Sequence, residues 1–192
     1  MMRVIAGTAR RIGLEVADGS RPFLEMARGA LFNSLAPLLP GAAVLDLYSG
    51  SGALGIEALS RGAASCVFVE LDAAAFRALG NNVRRCGFGR RARLLRGDAA
   101  EVAAGLDGAF GLVFVDPPFP DAAGWAAGGG GLELARAAAG LLAPEGVLVF
   151  RVEGVLPAPP EWGGLVLLRE NRYGRSRVCR YRAARAKEEV FP

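Results

Sequence analysis

From Ala43 onward, short runs of Val, Leu and Phe alternate with alanine-rich stretches of helical periodicity. A chain patterned this way buries its apolar residues as a mostly parallel sheet with helices on both faces. The pattern predicts strands over 43–48, 65–70, 92–96, 112–116 and 147–152, and helices over 53–61, 73–86, 131–142 and, shorter, 99–105. Gly62, Gly87 and Gly146 stand where helices end or turns begin. After the fifth strand, Leu156-Pro157-Ala158-Pro159-Pro160 interrupts regular structure. Two further strand-like runs, 165–170 and 177–182, flank Tyr173-Gly174 with the spacing of an antiparallel hairpin. The expectation is an α/β fold with a seven-stranded, mostly parallel sheet whose seventh strand is antiparallel.

Upstream, Arg3–Ile5 and Gly13–Val16 flank a basic turn, Thr8-Ala9-Arg10-Arg11, and read as a small hairpin ahead of a helix from about Phe23 to Leu35. This hairpin is too small to fold alone, so residues 1–20 are taken as an extension of one domain over 21–192. A low-complexity piece, Ala126-Ala127-Gly128-Gly129-Gly130-Gly131, lies in a stretch from Asp121 that also holds Trp125. That stretch could order over a bound ligand or serve as a tether.

The 192 residues are 52% hydrophobic and 22% charged, which suits one domain with a full core. Three widely spaced cysteines and no histidine argue against a disulfide framework, a structural zinc site and any imidazole-based catalysis. No apolar run approaches the length of a membrane span, and the expectation is a cytoplasmic monomer. The net charge of +4 is carried almost wholly by arginine. It fits an anionic partner, or simply the arginine, alanine and glycine bias of a GC-rich genome.

A glycine turn, Tyr48-Ser49-Gly50-Ser51-Gly52, follows the first strand of the sheet and precedes a helix, the place where backbone approaches a ligand closely. Gly50, Gly52 and Gly55 satisfy G-x-G-x-x-G, a pattern that dinucleotide enzymes share. Asp46, inside the strand before the turn, favours a cationic ligand over a phosphate, and the aromatic and small residues of the turn resemble those of methyltransferases. Twenty residues after Gly50, Glu70 ends the second strand, where a carboxylate can accept hydrogen bonds from both ribose hydroxyls. Asp72 is the near alternative, but its position suits capping of the following helix. Asp98, in Gly97-Asp98-Ala99, could accept from an adenine amine or cap a helix. Leu71 and Ala99 complete the cofactor-side set.

The fourth strand runs into Asp116-Pro117-Pro118-Phe119 at the same sheet edge. Two prolines fix the backbone and lack N–H donors, so the Asp116 carboxylate and Pro117 carbonyl present only acceptors. Paired acceptors can draw the delocalised lone pair of an exocyclic base amine toward tetrahedral geometry, with positioning and electrostatics supplying the rate. Phe119 offers a face on which the base can stack, worth roughly 1–3 kcal/mol. The competing account is a rigid turn with Phe119 in the core.

Nearly the whole chain resembles the bacterial small-subunit rRNA guanine-N2 methyltransferases of the RsmD type. The matching pieces are Met2–Gly7, Ser20-Arg21-Pro22, Leu31-Phe32-Asn33, Leu45–Gly62 and Phe114–Phe119. The resemblance implies a Rossmann-like class I methyltransferase fold. It also implies S-adenosylmethionine as cofactor with no metal, and one guanine of 16S rRNA in the small ribosomal subunit as target. It would place the cofactor on Gly50, Gly52 and Glu70, with Asp116, Pro117, Pro118 and Phe119 facing the base as the catalytic motif. Together with the residues read above, the cofactor-side set is Asp46, Tyr48, Ser49, Gly50, Ser51, Gly52, Glu70, Leu71, Asp98, Ala99 and Asp116. RNA binding would fall on Arg10, Arg11, Arg21 and Arg28. The chain departs from the family after Arg21-Pro22, reading Phe23-Leu24-Glu25-Met26-Ala27 before Arg28. The alternatives are an adenine-N6 methyltransferase on RNA or DNA, a nicotinamide-dependent oxidoreductase and a noncatalytic RNA-binding assembly protein.

Overall fold

The computed structural model describes residues 2–17, 25–118, 131–153, 158–174 and 176–184. A two-stranded hairpin, β1 (Met2–Arg3) and β2 (Gly13–Leu14), precedes α1 (Glu25–Ser34) and a short 3-10 helix, Ala36–Leu38. The main sheet follows as β3 (Ala43–Leu47), α2 (Ala53–Ser60), β4 (Ser65–Glu70), α3 (Ala73–Arg85), β5 (Ala92–Arg96), α4 (Ala99–Ala104) and β6 (Phe110–Val115). It closes with α5 (Gly131–Gly140), β7 (Leu142–Glu153), β8 (Glu161–Trp162), β9 (Leu165–Tyr173) and β10 (Ser176–Ala183).

The strand order is β5-β4-β3-β6-β7-β10-β9-β8. The first five strands are parallel and β10 enters antiparallel beside β7, so the expected antiparallel insertion is present. The sheet has eight strands rather than seven, because Glu161–Trp162 adds a two-residue rung to β9. A second correction concerns β7, which starts at Leu142, inside the segment expected to be helical. Phe110 pairs with Leu142 and the register then shifts, so Leu112 faces Val147. A nonlocal pairing, invisible to local periodicity, captures the strand five residues early.

Strand alternation sorts the core onto the two faces. Val44, Phe68, Phe114 and Val149 join Phe32, Ile56 and Leu79 on the α1–α3 side. Leu45, Val69, Val113 and Leu148 join Ala103, Leu134 and Trp162 on the α4–α5 side. No described helix is long and apolar enough to cross a membrane.

The N-terminal hairpin is interlocked with α2. The fully buried Glu57 carboxylate accepts from Ile5 N–H (2.7 Å), Ala6 N–H (3.0 Å) and Arg61 Nε (2.7 Å). The Ser60 carbonyl accepts from Thr8 N–H at 2.8 Å. Gly7, at φ +83, lies so close that a Cβ there would stand 1.8 Å from the Ser60 carbonyl oxygen. At the other end, fully buried Asn82 of α3 accepts from Glu15 N–H (2.8 Å) and donates to the carbonyls of Glu15 (2.8 Å) and Ser51 (2.9 Å). One side chain thereby ties the hairpin's exit to the glycine turn.

Candidate active site

The parallel register builds the site. Leu47 faces both Val69 and Val115, Val115 faces Phe150, and Glu70 faces Arg96. One residue further on, Tyr48, Asp116 and Arg151 fall into a single row with Glu70 and Arg96 across the carboxyl edge of five strands. In an open α/β sheet this edge is where ligands bind. A cleft of about 1760 Å3 opens there.

The glycine turn is held from beneath by carboxylates. Glu70 Oε2 accepts from Gly50 N–H at 2.7 Å and Oε1 from Asp72 N–H at 2.8 Å. Each oxygen keeps lone-pair capacity toward the cleft. Asp46, 1% exposed, accepts from Gly55 N–H at 2.9 Å through Oδ2. A Cβ on Gly50 would meet nothing within 4 Å, so the turn's backbone borders open space. Gly52 faces the other way: at φ +79 its Cβ would stand 2.4 Å from Leu79 Cδ1, so it serves the packing of the helix start.

Burial drives the Asp46 carboxyl well above its ordinary range. The Gly55 hydrogen bond opposes that shift, and Asp116 and Glu70 add to it. With the folded-state value raised, the unfolded chain ionises first, and stability falls as pH rises above about 3.8 toward the folded value. Asp46→Asn keeps an acceptor for Gly55 and removes this proton-linked loss. Its melting temperature relative to the wild type, without ligand, is expected to climb as the pH rises above about 3.8. A pH-independent difference would reject the assignment.

Of the residues expected on the cofactor side, Asp46, Tyr48, Ser49, Gly50, Ser51, Glu70, Leu71, Asp98, Ala99 and Asp116 line the cleft, as do Pro117 and Pro118. Leu71, 60% exposed, offers an apolar shelf. Ser49 is turned inward: its hydroxyl donates to the Asp46 carbonyl (2.6 Å) and accepts from Val69 N–H (3.0 Å), which locks the turn to two strands. Asp72 caps α3 by accepting from Ala74 and Ala75 N–H, as expected. These bonds hold its carboxyl below the usual range. Asp98 caps α4 through Ala100 and Glu101 N–H while still bordering the cleft.

At the chemical end, Asp116 Oδ1 accepts from Arg151 Nε at 2.6 Å, and both side chains are largely buried. Arg151 has no motif to mark it in the sequence; its one signal is a lone cation within the apolar run Val147–Val152. Pro117 is buried and Pro118 exposed. Phe119, Arg21 and the stretch with Trp125 lie outside the described residues.

Arg10 and Arg11 are exposed on the hairpin turn. Arg28, expected among the RNA-binding arginines, does not reach the surface, which corrects that expectation. It is 1% exposed, and its Nη2 donates to the Arg3 carbonyl. Burial lowers its pKa, which Glu57 and Glu25 oppose. The hairpin covers the helix face that carries Arg28, so its guanidinium ties the hairpin to α1 instead of meeting solvent. Among the described residues no three His, Cys, Asp or Glu converge as a metal site.

The family model described as Conserved hypothetical protein 95 matches residues 2–182. A Bacillus subtilis protein provisionally named rRNA methyltransferase YlbH is 32% identical over 94% of this chain and 98% of its own length. The Escherichia coli ribosomal RNA small subunit methyltransferase D is 42% identical over 62% of this chain and 60% of its own. A solved Escherichia coli structure, provisionally titled methyltransferase yhhF, superposes with a TM-score of 0.80 at 35% identity, covering 95% of this chain and 97% of that one.

Proposed function

Because the chain belongs to the RsmD-type family of rRNA methyltransferases, we propose that it transfers a methyl group from S-adenosylmethionine to the exocyclic N2 amine of a guanine in 16S rRNA. The observation that carries this reading is the placement of Asp116-Pro117 in the same row and cleft as Glu70 and the glycine turn.

The cleft fits a cationic nucleoside. Its wall carries the carboxylates of Glu70, Asp98 and Asp116, its turn borders open space, and Leu71 gives an apolar surface for a base. Glu70 would accept from the ribose hydroxyls, and Asp98 from the adenine amine. S-adenosylmethionine, when bound, supplies an electrophilic methyl group on a sulfonium centre.

The Asp116 carboxylate and the Pro117 carbonyl would accept the two amine protons and aim the nitrogen lone pair at the methyl group. Arg151 holds the carboxylate in one orientation through the 2.6 Å ion pair. Placing the acceptors in advance lowers the reorganisation that accompanies charge development on the nitrogen. On this reading Phe119 stacks on the base, and Arg10 and Arg11 contact the RNA phosphates. The enzyme then works in the cytoplasm as a monomer on the small subunit or its assembly intermediate.

Incubating the protein with methyl-labelled S-adenosylmethionine and deproteinised rRNA, small subunits or DNA, followed by digestion to nucleosides, tests the reading. Label is expected in N2-methylguanosine from the small-subunit RNA. Label in N6-methyladenosine, or in DNA alone, would replace the proposal with the adenine alternative.

A further inference from the structure

The row that holds Asp116 and Arg151 continues past β7. Val178 of β10 stands opposite Arg151 on one side and Asn171 of β9 on the other. Asp116, Arg151, Val178 and Asn171 therefore share a cross-sheet row on the α1 face, with Asn171 roughly 10 Å from Arg151 at ordinary strand spacing. Alternation puts Arg169 and Tyr173 on the same face of β9, and Arg180 stands directly opposite Arg169.

The Arg169–Arg180 pair is unfavourable as it stands. Like charges directly opposite on adjacent strands repel, and among the described residues neither joins an ion pair. Arg180 is further fixed by a hydrogen bond from Nη1 to Ser34 Oγ at 3.5 Å, and its pKa is lowered by burial and then by Arg169. Other arginines of this hairpin are differently placed: Arg177 is buried and paired with Glu170 at 2.7 Å. Tyr173, at the cleft end of β9, is half-buried against the core. Two cations that gain from an anion between them, an amide and an aromatic ring thus line one face running outward from Asp116.

We infer that this face of the β9–β10 hairpin, carrying Arg169, Asn171, Tyr173 and Arg180, binds the single-stranded RNA that flanks the target base, an inference resting on the reaction proposed above. A backbone phosphate sits between the arginines, Asn171 hydrogen-bonds the nucleotide, and a neighbouring base stacks on Tyr173. Stacking combined with backbone charge is how proteins grip single strands without reading their sequence.

The test is fluorescence anisotropy of a labelled single-stranded RNA dodecamer with protein saturated in S-adenosylhomocysteine, across a salt series. Melting curves establish that each variant is folded. The double variant Arg169→Ala/Arg180→Ala is expected to flatten the plot of log Kd against log salt by about 0.7 for each phosphate that the protein no longer neutralises. Tyr173→Ala is expected to weaken binding on the order of tenfold, while Tyr173→Phe stays near wild type. Unchanged Kd and salt slope in the folded double variant, with Tyr173→Ala also binding normally, would overturn the inference even if guanine methylation proceeds. Weakened binding by the variants, with no nucleoside methylated by the wild type, would instead uphold the surface and refute the proposed reaction.

Discussion

Asp116→Asn is expected to slow methyl transfer to small-subunit rRNA by about two to three orders of magnitude, the loss typical of deleting one preorganised electrostatic interaction. The substitution preserves the side chain's shape and one acceptor oxygen, so packing beside Pro117 should survive. It removes the charge that faces Arg151 at 2.6 Å, a partner whose side chain is only 9% exposed. The amide can also present its NH2 toward the incoming amine, which cannot accept from it. The loss should appear in single-turnover transfer rates, with stabilisation by S-adenosylhomocysteine largely retained because Glu70 and the glycine turn are untouched. A variant keeping more than about a tenth of wild-type transfer would show that the carboxylate does not face the reacting amine.

Glu57→Ala is expected to cost about 3–5 kcal/mol of stability, as breaking a buried ion pair does. The carboxylate is fully buried and accepts from two backbone N–H groups of the N-terminal segment as well as from Arg61. Its removal leaves Ile5 and Ala6 N–H without that acceptor, and it takes away the largest charge opposing the desolvation of Arg28. For a chain of 192 residues the melting temperature should fall on the order of 10 °C. Glu57→Gln, which restores one acceptor, should recover part of the loss. A melting temperature within about 2 °C of wild type would mean that the hairpin docks without this carboxylate.

How much is legible in the sequence depends on the range of the interaction. The Asp72 cap can be read because capping involves residues two and three positions away. The strand, glycine turn, helix and second-strand acid can be read because a βαβ unit fixes their spacing. The Asp116–Arg151 pair spans 35 residues and forms only because two parallel strands align Val115 with Phe150. Its charge suggests a surface place for Arg28, although its spacing from Leu31, Phe32 and Leu35 is that of the buried stripe; residue type cannot show that a separate hairpin covers that turn. The place of Ser49 in the glycine turn suggests the ligand side, since position does not reveal which way a hydroxyl points. In the structure the hydroxyl bridges Asp46 and Val69, on neighbouring strands.

By itself, the sequence determined the α/β class, the antiparallel strand inserted near the end, and the groups offered at the sheet edge: a glycine turn, Glu70 and an acceptor-only Asp-Pro-Pro. These follow from local periodicity, turn chemistry and the absence of donors on proline. Tertiary structure alone decided which of these groups meet and which charges are buried. It aligned Glu70, Tyr48, Asp116 and Arg151 in one row, turned Arg28 and Glu57 into ties for the hairpin, and drew Leu142 into β7. The physical reason is that strand register and the docking of one element on another depend on pairings between residues far apart in the chain.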